Sequence, residues 1–214
     1  MRAYQTMIAS DGYEVCLFPF EYMYISQGEG ESYSHTNTYN IDFLGYNSNG
    51  IVLNCPFYAP CTLKCVDIWD SSSNTRVYES VNKVHLANGN IDYLTIYFSH
   101  DDNPPYNIGD VINQGQLLGR TGTTGYVTGD HIHSCCGEGR YIGFTQRVQG
   151  GVEWDLTNRI HYYYATYVND TVLVEDYNYN WTDYNGSIIQ SSKRKKFNFI
   201  LFSNELKKQR KLTK

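Results

Sequence analysis

Residues Thr128 to Gly139 read TGDHIHSCCGEG. Two histidines one residue apart, His131 and His133, follow a glycine-rich run and precede two adjacent cysteines. Successive side chains of a β-strand point to opposite faces, so residues i and i+2 share one. Read as a strand, the stretch sets His131 and His133 side by side and turns Ile132 inward. That suits one imidazole binding a metal while its neighbour handles a proton. A chance H-x-H on a solvated strand face is the plain alternative. The same alternation sends Cys135 and Cys136 to opposite faces.

The surrounding sequence favours strands. The chain has 214 residues, enough for one domain with an appendage and a core that needs no disulfide staples. With 21 Tyr, 18 Gly and only 18% charged residues, the composition fits a β-rich, turn-rich domain better than a helical bundle. Turn clusters fall at YNSNG (46–50), SSSN (71–74), NGN (88–90) and DDNPP (101–105). Between and after them lie β-type runs: IVLNCPFY, CTLKCVDIW, YLTIYFSH, HYYYATYV and TVLVE. The predicted class is all-β and mainly antiparallel, in a sandwich-like stack. The predicted division is a lead-in over 1–26, a main domain over 27–186 and a basic tail over 187–214, where FNFILFSNELKKQRKL could form a short helix.

Charge is unevenly placed. Residues 193–214 hold nine Lys/Arg against one Glu, whereas the first 192 hold eight against 21 Asp/Glu. A basic tail can touch phosphate-rich polymers, or it can be a solvated extension. No motif for specific nucleic-acid binding accompanies it. No apolar run reaches the length of a membrane span. Asp11 and Glu14 interrupt the apolar character of the first 26 residues, so no secretory signal is expected there. On this reading the protein is made in the cytoplasm and reaches any outside target by another route. Six cysteines without zinc-knuckle spacing are expected to be free thiols.

Three further residues complete a candidate site. His35 and Asp42 flank a short polar loop in SHTNTYNIDF, and His100 ends YLTIYFSH. Singly, each has a plain reading: a loop histidine, a turn carboxylate, a core histidine sharing the face of Leu94, Ile96 and Phe98. Together they make the order His…Asp…His…His-x-His, which offers the three ligands that a catalytic zinc commonly takes.

That order, with GDVINQGQLLGRTGTTGYVTGDHIH from Gly109 to His133 and PFYAPCTLKCV at 56–66, resembles the lysostaphin-type zinc endopeptidases. The similarity covers roughly 27–136. No Lys follows the glycines, so a phosphate-binding loop does not account for them. The resemblance implies one Zn²⁺ per chain held by His35, Asp42 and His133, with His100 and His131 as the catalytic pair. It implies hydrolysis of peptides in bacterial peptidoglycan. Two departures stand out. His35 and Asp42 are separated by six residues, where better-known members have three; the longer form is similar to that of phage-borne relatives. Cys135 stands where many members have a Glu. The expectation is a phage lysin, or a tail-associated wall-degrading protein with other tail proteins as partners. The alternative is a degenerate member acting as a wall-binding or tail structural module.

Overall fold

The computed structural model describes residues 6–31, 33–151, 153–186 and 188–189. Of the basic tail only 188–189 are described, and its expected helix lies outside the described residues. The main sheet has nine strands: β1 (Tyr22–Gln27), β2 (Ile41–Phe43), β3 (Leu63–Asp70), β4 (Thr75–Ser80), β5 (Leu94–Ser99), β6 (Val111–Ile112), β7 (Ile132–Glu138), β8 (Arg159–Ile160) and β9 (Val172–Glu175). Their spatial order is β6-β3-β4-β5-β7-β2-β1-β9, with β8 also pairing β7. Every pairing is antiparallel except β9 with β1. The chain is all-β and mainly antiparallel, as its alternating patterns predict. Strand β1 ends at Gln27, so the sequence boundary at 26/27 falls inside it.

Both faces of the sheet are covered, and β5 shows why its sequence is apolar throughout. All six of its residues are buried. Leu94, Ile96 and Phe98 face the main core, whereas Tyr97 joins a second cluster with Val77, Cys135 and Leu156. A small ladder of Pro56–Tyr58 and Leu117–Arg120 closes over the main core. From it Phe57 meets Phe98 at 4.6 Å and Phe20 at 5.5 Å. Phe43 packs edge-on against Phe18 at 5.3 Å and Tyr162 at 5.1 Å. Such pairs add about 0.5–1.5 kcal/mol each beyond the area they bury. Cys136 lies in the main core and Cys135 in the second cluster, as alternation requires, and all six thiols are free.

Two sequence expectations are corrected. The run HYYYATYV, expected as a strand, holds a single helical turn at Tyr162–Ala165. A short apolar run does not fix its own period. Here Glu29 accepts the Tyr162 amide at 3.0 Å, and the turn buries Tyr162 and Ala165 together. IVLNCPFY is likewise two strands, Gly50–Ile51 and Pro56–Tyr58, with Asn54 between them at φ 54°.

Candidate metal centre

The sheet register assembles the site. Asp42, central in β2, lies directly opposite His133 of β7, which in turn lies opposite Ser99 at the end of β5. His35 closes a 3₁₀ turn just before β2 and is fully buried. His133 Nδ1 is 2.8 Å from Asp42 Oδ1, and His35 Nε2 is 3.2 Å from the same oxygen and 3.1 Å from His133 Nδ1. One ligand-type atom from each of the three lies within 4.8 Å of the others.

Unless a ring nitrogen keeps a proton between them, these atoms are acceptors facing one another. The His35 Nδ1–H donates to the Gly28 carbonyl at 2.9 Å, so the neutral ring leaves Nε2 as a bare lone pair. Asp42 is held well below the usual carboxylate range. Burial alone would raise it, but the charge of His131 and the hydrogen bonds of His133 and His35 outweigh burial. Burial pushes His133 down, against the pull of Asp42. A carboxylate and bare imidazole nitrogens at these distances repel unless a shared proton or a cation lies among them. Two imidazoles and one carboxylate form the set of three protein ligands that leaves a fourth zinc position open. The donor set therefore fits zinc.

His100 and His131 stand beside the donors. The rings of His100 and His131 are 4.8 Å apart, and His100 is 5.8 Å from His133. His131 Nδ1–H donates to the Gly129 carbonyl and His100 Nδ1–H to the Thr124 carbonyl, each at 2.8 Å, which leaves both Nε2 atoms free. His131 Nε2 lies 3.6 Å from Asp42 Oδ2. Burial, reinforced by His133 and His131, pushes His100 down to about 3. Strand alternation would have put His100 on the core face with Phe98, and the structure corrects this. The strand stops at Ser99, and His100 takes φ 81°, which swings its ring to the side of His131 and His133. A non-glycine residue in this region carries strain of order 1–3 kcal/mol, held here by the His100 amide bond to the Ser73 carbonyl at 2.7 Å.

The glycine run serves this geometry. Gly122 exchanges both backbone hydrogen bonds with His131, at 3.0 and 3.1 Å, and a Cβ there would collide with the His100 carbonyl oxygen and the Asp102 amide. Both obstacles are backbone and cannot rotate away. Gly122→Ala is expected to cost about 2–3 kcal/mol, as overpacked sites do. A thermal melt that matches the parent would show that the loop yields freely.

Sequence reasoning missed three residues. Tyr97 and Asn40 are both buried; the Tyr97 hydroxyl lies 3.1 Å from His133 Nε2 and donates to Asn40 Oδ1 at 2.7 Å. The available signal was alternation: Asn40 is two residues before Asp42, and Tyr97 two before Ser99. The third is Asp155, fully buried, which accepts the Tyr39 amide at 2.7 Å and lies 2.7 Å from Cys135 Sγ. A carboxylate thus reaches Cys135 from another strand, which no local pattern could reveal. Glu31, the nearest acid to His35 in sequence, is engaged elsewhere, accepting the Gly28 amide and the Tyr177 hydroxyl. A cleft of about 820 Å³ beyond the 125–130 loop, bordered by Asp101, Asp102, Arg120 and Asp130, includes none of the five site residues in its lining.

No protein-family model matches the chain. Morphogenesis protein 1 of Bacillus phage B103 is 34% identical over 173 residues, covering 80% of this chain and 45% of that protein. The chain thus spans less than half the length of this curated relative. Among solved structures, lysostaphin from Staphylococcus simulans is 21% identical with a TM-score of 0.42, over 56% of this chain and 45% of its own. A zinc-containing peptidase from Vibrio cholerae is 19% identical with a TM-score of 0.40, over 61% of this chain and 42% of its own. The catalytic domain of a prophage-encoded M23 protein from Enterococcus faecalis is 16% identical with a TM-score of 0.41, over 56% of this chain and 85% of its own. The chain is a relative of a phage morphogenesis protein, and its own residues 27–136 carry motifs similar to those of the lysostaphin-type zinc endopeptidases.

Proposed function

We propose that the chain is a zinc-dependent endopeptidase acting on peptides of bacterial peptidoglycan, carried by a bacteriophage as a lysin or tail-associated protein. The observation that carries this reading is the convergence of His35 Nε2, Asp42 Oδ1 and His133 Nδ1, with two further imidazoles alongside. When bound, zinc would supply a Lewis acid for the scissile carbonyl and an acidified water. The chain's own residues do the rest. Asp42 and the imidazoles of His35 and His133 would hold the ion. The free Nε2 atoms of His131 and His100 take the proton of the attacking water and return it to the leaving amine. As imidazolium, either one also stabilises negative charge developing on the carbonyl oxygen.

A structural role in virion assembly is the second reading, and the name of the phage relative favours it. Zinc content of purified protein, measured with release of new amino groups from purified walls, separates the two. Zinc with amine release supports the enzyme. Wall binding without amine release, even with added zinc, leaves the structural module.

Asp42, and not Glu31, completes the donor set in this proposal. Asp42→Asn is expected to weaken zinc binding by more than the about 10–100-fold typical of an outer-shell change. Glu31→Gln should sit at or below that range. The reverse ranking in a chelator competition would move the site. We place the catalytic unit within 27–186 and assign residues 187–214 to contact with anionic wall polymers. No helix among the described residues is long and apolar enough to cross a membrane.

A further inference from the structure

We propose that Asp155 is a positioning residue that braces the segment between His35 and Asp42, so that two of the three donors are set in place before an ion arrives. Residues 36–40 lie between the 3₁₀ turn that carries His35 and the strand that carries Asp42. Asn37 takes φ 60°, and the Thr38 amide and hydroxyl both donate to the His35 carbonyl at 3.0 Å, which closes the turn. Past that turn, long-range bonds reach one place, the hairpin of Phe144–Gln146 and Trp154–Leu156. Asp155 Oδ2 accepts the Tyr39 amide at 2.7 Å. The Trp154 carbonyl accepts the Asn40 side-chain amide at 2.8 Å, and the Arg147 carbonyl accepts that of Asn37 at 3.3 Å. Of these three acceptors only Asp155 is a side chain, so it alone can be removed by substitution.

Asp155 is itself held from several sides. It is fully buried, and its Oδ1 accepts the Leu156 amide at 2.9 Å and the Cys135 thiol at 2.7 Å. Arg159 Nη1 lies 3.4 Å from Oδ2, and the same guanidinium covers the Tyr39 ring at 4.4 Å. Cys135 belongs to β7, two residues after His133. One buried side chain therefore ties the His35–Asp42 segment to the His133 strand and to the hairpin. It is not one of the converging donors, so it acts on them through the Tyr39 backbone. Freedom left in residues 36–40 would have to be lost when an ion binds, and that loss weakens affinity. A segment already held gives up less.

This inference deepens the metal reading and rests on it for its effect on zinc, but the brace itself needs no metal. The test uses the full chain. In zinc-free protein, amide exchange followed by NMR is expected to show a slow Tyr39 amide, although Tyr39 belongs to no strand. In Asp155→Ala that amide should exchange about 10-fold faster, as loss of one hydrogen bond implies, while amides of β5 and β7 keep the parent rates. Zinc affinity in chelator competition should fall by about 10-fold, the low end for a group that supports ligands. Faster exchange throughout β5 and β7 would make Asp155 a structural residue only and overturn the proposal. Asp155→Asn, nearly equal in volume, takes the same comparison if the alanine variant does not fold. Zinc affinity that follows Tyr39 exchange supports the brace, and zinc affinity unchanged while the Tyr39 amide is released overturns it. So would a Tyr39 amide in the unmutated chain that exchanges as fast as an exposed one. If Tyr39 is protected in the parent and released in the variant, yet neither takes up zinc, the brace stands and the metallopeptidase reading fails.

Discussion

Alanine at His100 or His131 is expected to leave zinc bound and the fold intact while peptide hydrolysis falls by about 10²–10⁴-fold, the range typical of general acid–base catalysis. Neither ring belongs to the converging donor set, which is His35, Asp42 and His133. Each spends Nδ1 on a carbonyl of its own neighbourhood, Thr124 for His100 and Gly129 for His131. Each therefore brings one free nitrogen to the site without helping to hold an ion. For His100 the loss is expected in kcat more than in KM, since a ring that handles protons in the transition state contributes little to ground-state binding. Wall binding should persist in both variants. Zinc loss in either one, to the extent seen for a donor variant, would make that residue a ligand and exchange the roles within the H-x-H pair.

Alanine at His35 or His133 is expected to have the opposite signature: zinc content falls to a small fraction of one per chain, and activity goes with it. Removing either imidazole deprives Asp42 of a close partner, 3.2 Å away for His35 and 2.8 Å for His133. Asp42 keeps the other ring and His131, 3.6 Å away, so the loss of fold stability should be smaller than that of zinc. A ligand that binds only the native state adds about 2.7 kcal/mol at 100 times its dissociation constant. Zinc should therefore raise the melting temperature of the parent and leave that of the two variants unchanged. Full zinc occupancy in both variants, by metal analysis of purified protein, would sink the ligand assignment.

Much of this arrangement is legible in the sequence, because strand alternation is a local rule. The H-x-H pair needed only period two to put His131 and His133 on one face and Ile132 in the core. The motif put His35, Asp42 and His133 forward as candidates, and the sheet brings them together. His100 shows where the rule stops: alternation holds only while the strand lasts, and the positive φ one residue past Ser99 turned the ring to the opposite side. The Tyr-rich segment after His161 failed for a related reason, since its helical turn is set by Glu29, a partner more than 130 residues away. Asp155 was illegible for the same cause. Its importance lies in whom it meets, Tyr39 and Cys135, and neither is near it in sequence.

The pairing of Asp42 with His133 also fixes when a growing chain can possess its site. The two are 91 positions apart. With a ribosome adding about 5–20 residues per second, roughly 5–20 s pass between the appearance of Asp42 and that of His133. Through that interval His35 and Asp42 are ordinary hydrated side chains on an unfinished sheet. Strand β7 must slot between β5 and β2, both made earlier, before the five residues share a space. The centre is thus complete only once β7 is in place, and a nascent chain stalled before residue 131 lacks both histidines of the H-x-H pair.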